Sequence, residues 1–260
     1  MTGSAGISIN TGFDVQKHAR TRALRSEGHV RSGPFVVRYD QNWPSPFANY
    51  AIPDDGAAPT ASDISALIST FRRLDRVPRL EYLPTCAPQV EPALLAAGFT
   101  VENRAAVMAC SAGTLISPES TTDILVTEPT DDTGLLAAAR VQHVGYGQSG
   151  EPTEGETAWL RDTVASGGVV ALASTADGAA VGAGVCSAPL DGLSELAGLA
   201  VAADFRQRGI GAVLSAYLTA AVMERGCRTV WLEPGDPGIG RIYARIGYQT
   251  VGEKLNISLR

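Results

Sequence analysis

Ser194-Glu195-Leu196-Ala197-Gly198-Leu199-Ala200-Val201-Ala202-Ala203-Asp204-Phe205-Arg206-Gln207-Arg208-Gly209-Ile210-Gly211-Ala212 decides the reading of this chain, and a helical pattern runs on from it to Gly226. Residues 196–201 read as an apolar strand, which breaks at Ala203-Asp204 and enters the helix through a glycine-bearing turn. The first amides of a helix have no internal partner, and the helix dipole adds partial positive charge there, so such a turn can hold an anionic group. Gly209 and Gly211 carry no Cβ to obstruct the approach, and Arg206 and Arg208 would add formal charge beside it. Two common phosphate loops are absent. There is no G-x-x-x-x-G-K-[ST], and Leu214 stands where G-x-G-x-x-G needs its third glycine. Taken alone, these residues leave two readings open: an anion site, and an ordinary strand–helix corner with glycines for tight packing.

The rest of the chain bounds what such a site could serve. At 260 residues, 45% hydrophobic and 18% charged, it is long and apolar enough for one or two folded domains. A net charge of −6 argues against a nucleic-acid partner, which calls for a basic face, but leaves room for a local cationic pocket. Cys86, Cys110, Cys186 and Cys227 form no C-x-x-C pair, and His18, His29 and His143 are not spaced for zinc, so no metal is expected. Buried free thiols in a reducing compartment account for the cysteines, with Cys186 and Cys227 on core strands. No early apolar run resembles a signal peptide. The most apolar stretch, 169–185, is cut by Ala176-Asp177-Gly178 and reads as a hairpin instead of a membrane span. A cytoplasmic protein with no membrane partner is expected.

In order, residues 1–12 are small and polar and expected to be mobile. Lys17, Arg20, Arg22, Arg25 and Arg31 allow an anion-binding arm but read first as a solvated helix face. Residues 35–39 read as a strand. Trp43 to Tyr50 form an aromatic loop that either lines a cleft or covers the core. Thr60 to Asp63 offer a cap for a helix to about Arg76, with Ile64, Leu67, Ile68 and Phe71 at helical spacing. A strand at 80–83, a helix at 88–97 closed by Gly98 and a strand at 99–110 follow. Residues 111–114 and 117–122 are rich in Ser, Thr and Gly and read as a linker, dividing the chain into domains at 1–115 and 123–260. Beyond it come a strand at 124–126, helices at 134–144 and 157–164, the hairpin, the opening stretch, a strand at 229–232, a helix at 234–246 capped by Asp236, and a strand at 249–259.

The two halves echo one another. Leu80-Glu81-Tyr82-Leu83-Pro84, a helix, and Leu94-Leu95-Ala96-Ala97-Gly98-Phe99 match Val230-Trp231-Leu232-Glu233-Pro234, a helix, and Tyr243-Ala244-Arg245-Ile246-Gly247-Tyr248. No R-x-x-G-x-G occurs before residue 111, and Leu94 stands where the later copy has Tyr243.

R-x-x-G-x-G after a strand reading Glu-Leu-Ala-Gly-Leu-Ala-Val resembles the acyl-CoA signature of the GNAT N-acetyltransferases. The element order β-α-α-β-β-β-α-β-α-β over 123–260 is also that of a GNAT domain. The resemblance implies an α/β (α+β) fold of two GNAT-like units, each a mixed, mostly antiparallel sheet flanked by helices. The first would be degenerate, inert toward CoA and a wall of the substrate cleft. It implies acetyl-CoA as co-substrate and no metal, with the pyrophosphate on backbone amides of Gln207, Arg208, Gly209, Ile210, Gly211 and Ala212. Pantetheine would pair with the exposed backbone of Leu199, Ala200 and Val201, one N–H lying near the thioester oxygen. Glu195 falls where histone-acetylating members carry a general base, and alternation with period two would place it on the strand face of Leu199 and Val201. Tyr243, four residues before Gly247, falls where the family's tyrosine protonates the departing thiolate; its ordinary pKa of about 10 keeps it protonated at neutral pH. Asp236 stands where the family usually has an asparagine on pantetheine, and an ionised carboxylate cannot donate that amide hydrogen bond. His143, Tyr146 and Trp159 lie in the two-helix region that lines the acceptor side. The expected activity is N-acetylation of a primary amine, of a small molecule, by direct attack in a ternary complex. A non-catalytic acyl-CoA sensor or scaffold and a GNAT enzyme with a longer acyl donor stay open, as does a homodimer.

Overall fold

A computed structural model describes residues 11–41, 43–119 and 123–260. The mobility expected of residues 1–12 therefore lies outside the described residues up to 10, as do Ser120, Thr121 and Thr122 of the linker; Thr11 and Gly12 open the first helix. The chain forms two compact units. Of the described residues, one takes 11–107 together with Val251–Arg260; the other takes Met108–Thr250. The strand that ends the chain thus belongs to the first unit, which a linear division at 115–123 does not contain. Strand pairing depends on the register of backbone groups and not on sequence adjacency, so a late strand can pair with an early one.

In the first unit, α1 (Thr11–Arg25) is followed by three strands, β1 (His29–Ser32), β2 (Phe35–Arg38) and β3 (Tyr50–Pro53). Then come α2 (Ala61–Arg73), β4 (Arg79–Tyr82), α3 (Val90–Ala96) and the first part of β5 (Thr100–Ser111). β1, β2 and β3 pair antiparallel, β3 meets β4 in parallel, and β4 pairs antiparallel with the end of β11 (Gln249–Ser258). Ile64, Leu67 and Phe71 of α2 and Leu94 of α3 pack with Leu80, Tyr82, Leu255 and Ile257 into one apolar core. The basic residues of 17–31 are partly spent within this unit, Arg20 on Asp55 at 2.8 Å and Arg31 on Asp54 at 2.6 Å. The aromatic loop at 43–50 covers the polar side of β4: Arg79 donates to the Pro46 carbonyl and lies against the Phe47 ring, with its guanidinium 5.6 Å from the centroid. β1 and β3 are not apparent from the sequence, because β1 (His-Val-Arg-Ser) carries one apolar residue and β3 ends on proline.

The second unit runs β6 (Ile124–Thr127), α4 (Asp132–Gly145), α5 (Glu154–Ala165), β7 (Val169–Thr175), β8 (Ala180–Cys186) and β9 (Leu193–Val201). It continues with α6 (Ile210–Glu224), β10 (Thr229–Leu232) and α7 (Pro237–Arg245). β6 to β9 pair antiparallel in sequence order, β9 and β10 pair in parallel, and Met108 to Ser111 of β5 pair antiparallel with β10. α6 packs on one sheet face through Ile210, Leu214, Leu218 and Val222. α4 and α5 pack on the other through Leu135, Ala138, Ala139 and Leu160. Burial on two faces explains why β7 and β8 read as near-continuous apolar runs, without alternation. The four cysteines are free and buried, although Cys227 precedes β10 and does not lie on a strand.

The repeat has a counterpart in hydrogen bonding. Phe99 N–H donates to the Leu94 carbonyl and Tyr248 N–H to the Tyr243 carbonyl, each at 3.1 Å. Leu94, Phe99, Tyr243 and Tyr248 are all buried.

Candidate active site

The site begins with a defect in β9. Ala183 opposes Ala200 and Val185 opposes Ala197, so Gly198 and Leu199 together face the single residue Gly184. This is a β-bulge, and Gly198 takes φ +61, a conformation that costs other L-residues about 1–2 kcal/mol. The extra residue reverses the alternation beyond it. Leu199 and Val201 lie against the α6 core, whereas Ala200 is turned to α4, where a Cβ on Gly145 would stand 2.6 Å from its own. Glu195 and Ala197 keep the phase of Ala200. The expected common face for Glu195, Leu199 and Val201 is therefore corrected: Glu195 lies on the α4–α5 face, opposite the two apolar residues. Period two holds only within an unbroken ladder.

Beside the bulge the sheet opens. The β9–β10 register covers Leu193, Ser194 and Glu195 only, so the remainder of β9 is laddered to β8 alone. The chain then makes one 3₁₀ turn, Ala203–Phe205, and reaches Gln207 at φ +62 and Gly209 at φ +80. Gly209 is the N-cap of α6, and no side chain caps that helix. Ala212 and Val213 both donate to the Gly209 carbonyl, at 3.0 and 3.1 Å, so Ala212 is engaged within the turn and the leading amides are those of Ile210 and Gly211. Arg206 and Arg208 are exposed. Their guanidiniums rest on the carbonyls of Val201 and Asp204, at 3.1 and 2.7 Å, on the rim of the turn.

Tyr243 arrives from α7, only 5% exposed. Burial pushes its pKa well above the ordinary phenol value, with the Ser215 side chain acting against the rise. Ser215 is itself engaged, donating to the Gly211 carbonyl at 2.7 Å.

Residues 135–248 match the model of the acetyltransferase (GNAT) family. Residues 135–248 form a GNAT-family acetyltransferase domain. The fold resembles a GCN5-related N-acetyltransferase from Kribbella flavida, with a TM-score of 0.78 at 23% identity over 98% of this chain and 96% of that one. A tandem GNAT protein from the clavulanic acid biosynthesis pathway gives 0.61 at 13% identity, over 97% and 96% of the two chains. A functionally unknown conserved protein from Staphylococcus epidermidis gives 0.60 at 17%, over 90% and 94%. No curated protein compared with the chain matches it by sequence. Among the described residues no helix is long and apolar enough to cross a membrane.

Within the GNAT domain, Asp236 caps α7, its Oδ1 accepting from the amides of Gly238 at 2.6 Å and Ile239 at 3.0 Å, as its position before Pro237 predicts. Glu195 is held through its backbone, its N–H donating to Ser187 Oγ at 2.9 Å. His143 is held between Glu156 Oε1 at 2.8 Å and the Ser149 carbonyl at 3.2 Å. Both partners are acceptors, which favours the doubly protonated ring, and the Glu156 carboxylate raises its pKa. Trp159 lies against the bulge: a Cβ on Gly198 would stand 3.4 Å from its ring. Tyr146 is 61% exposed at the end of α4, and partial desolvation raises its pKa. Sequence reasoning missed Ser215 and Gln142. Each is a polar residue in an apolar helical pattern, which reads as a tolerated exception until its partner, a carbonyl far away or one turn back, is known.

Proposed function

We propose that the GNAT domain transfers an acetyl group from acetyl-CoA to a primary amine of a small molecule, by direct attack in a ternary complex. The observation that carries the reading is the continuous path from the bulge at Gly198, along the unladdered edge of β9, to the uncapped start of α6. An extended amide-bearing chain can pair with the first part and an anion can meet the second. In this reading the pyrophosphate lies on the amides around Gly209 to Gly211 and pantetheine runs beside Leu199, Ala200 and Val201. The amine nitrogen bonds to the thioester carbonyl carbon and the carbon–sulfur bond breaks. Glu195, on the α4–α5 face, takes one proton from the incoming ammonium, directly or through water; Tyr243 gives one to the departing thiolate, and the second proton lost by the nitrogen restores the phenol through solvent. The raised pKa of Tyr243 suits a donor, since the phenol stays protonated at neutral pH.

The first unit is proposed to be a degenerate GNAT-like unit that does not bind the donor. Its helix α2 is closed by a capping box: Thr60 accepts from the Asp63 amide at 3.2 Å, and the Asp63 carboxylate accepts from the Thr60 amide at 2.8 Å. An internal carboxylate thus holds the place that α6 leaves open. Free-thiol release from acetyl-CoA over a panel of primary amines tests the activity, with Tyr243→Phe alongside. Release by the wild type that falls at least tenfold in the variant supports the reading. Tight CoA binding with no release from either protein would replace it with a sensor, and a longer acyl group on co-purifying CoA would change the donor.

A further inference from the structure

Gln142 is the one polar side chain of α4 that is buried against the bulge, 8% exposed, and its Nε2 donates to the Gly198 carbonyl at 2.7 Å. The peptide it grips joins the two residues that have no partner of their own in the β8 ladder. Among the described residues no peptide bond is cis, so the Leu199 N–H points antiparallel to the Gly198 carbonyl in the same rigid plane. A donor that turns this carbonyl toward α4 therefore turns the Leu199 N–H away from α4. Gly198 is required for the grip, since a Cβ there would lie 2.6 Å from Nε2. Gly145, one turn on, lets the helix come down onto Ala200.

We infer that Gln142 is a positioning residue, which fixes the Gly198–Leu199 peptide so that the Leu199 N–H is aimed at the thioester carbonyl of the acyl donor. The inference rests on the acetyl-CoA reading given above. An ordinary tie between helix and sheet would add stability alone. A positioning role also requires that loss of the amide change the carbonyl of the bound donor, because a preorganised N–H polarises that group and a free-swinging one does so less.

The carbonyl stretch of [1-¹³C]acetyl-CoA, free and bound, reads this directly by difference infrared spectroscopy on the full chain. CoA and acetyl-CoA affinities and the unfolding midpoint are measured on the same samples. In the wild type the stretch is expected to fall on binding. In Gln142→Met, close in size but without a donor, the shift should shrink by at least half while CoA affinity stays within about threefold. Gln142→Ala should behave alike, which guards against a Met side chain that packs badly. Where an accepting amine is known, kcat should fall about tenfold with KM for the donor little changed. An unshifted carbonyl in the bound wild type, or equal shifts in wild type and Gln142→Met, would overturn the assignment and leave the acetyl-CoA reading standing. Failure of the wild type to bind acetyl-CoA would overturn both.

Discussion

Gly198→Ala is the sharpest single perturbation of the bulge, because its cost can be composed from two separate terms. Alanine at φ +61 pays about 1–2 kcal/mol in backbone strain. Its Cβ, 2.6 Å from Gln142 Nε2, also displaces the amide from the Gly198 carbonyl, a loss of about 1 kcal/mol for one hydrogen bond. The sum is about 2–3 kcal/mol, which for a chain of this size lowers the unfolding midpoint by about 5–10 °C. Urea and thermal unfolding of the wild type, Gly198→Ala, Gln142→Met and the double variant form a cycle. If the methyl group acts partly by displacing Gln142, that hydrogen bond is lost only once in the double variant. The double should then cost about 1 kcal/mol less than the two singles added. A loss in Gly198→Ala below about 0.5 kcal/mol, or strict additivity, would refute the description of the bulge as held by Gln142.

The two glycines of the turn should separate in sign. Gly209→Ala, at φ +80, should cost about 1 kcal/mol and weaken CoA binding, read by urea unfolding and calorimetric titration. Gly211→Ala should stabilise by up to about 1 kcal/mol through helix propensity, because its Cβ meets nothing closer than 3.9 Å. Tyr243→Phe should lower turnover between tenfold and a thousandfold with donor affinity little changed. Since burial raises the folded-state pKa of Tyr243, the wild-type rate should show no alkaline fall from this group below about pH 10. For His143, raised by Glu156, the added stability is fully present below the unfolded pKa of about 6.5 and is lost as pH rises through the folded value. Glu156, lowered by His143 and Thr153 against its own burial, contributes above about pH 4.3 and fades as pH falls through its folded value. The stability gap between wild type and His143→Gln should therefore be larger at pH 5.5 than at pH 8.5, and an equal gap would show the pair to be inert.

What could be read in advance was local. The turn at Arg206 to Gly211, the cap at Asp236 and the closures at Gly98 and Gly247 depend on residues a few positions apart, so their chemistry is written contiguously. The face of Glu195 was lost because one inserted residue inverts a strand, and Gly198 gives no sign by itself whether it bulges or merely packs. Gln142 was lost for a related reason. Its partner is a backbone carbonyl 56 residues away, and carbonyls leave no trace in composition. The course of the last strand was hidden too, because the pattern of 249–258 shows a strand but not the neighbour with which it pairs.

The proposal that the second unit alone holds the donor has a physical counterpart at the start of one helix in each unit. Each carries a strand that meets the next in parallel with a helix between them, α2 in the first unit and α6 in the second. The helix starts are chemically opposite. Asp63 satisfies the start of α2 from within and adds negative charge to the dipole end, which stabilises the helix and repels a phosphate. α6 begins on a left-handed glycine with no side-chain cap, so its leading amides are left for water or a ligand. A helix without a cap forgoes that stabilisation, and α6 offsets it by burying Ile210, Leu214, Leu218 and Val222 along its length. Stability drawn from the buried stripe leaves the terminus free to be shaped by what it binds.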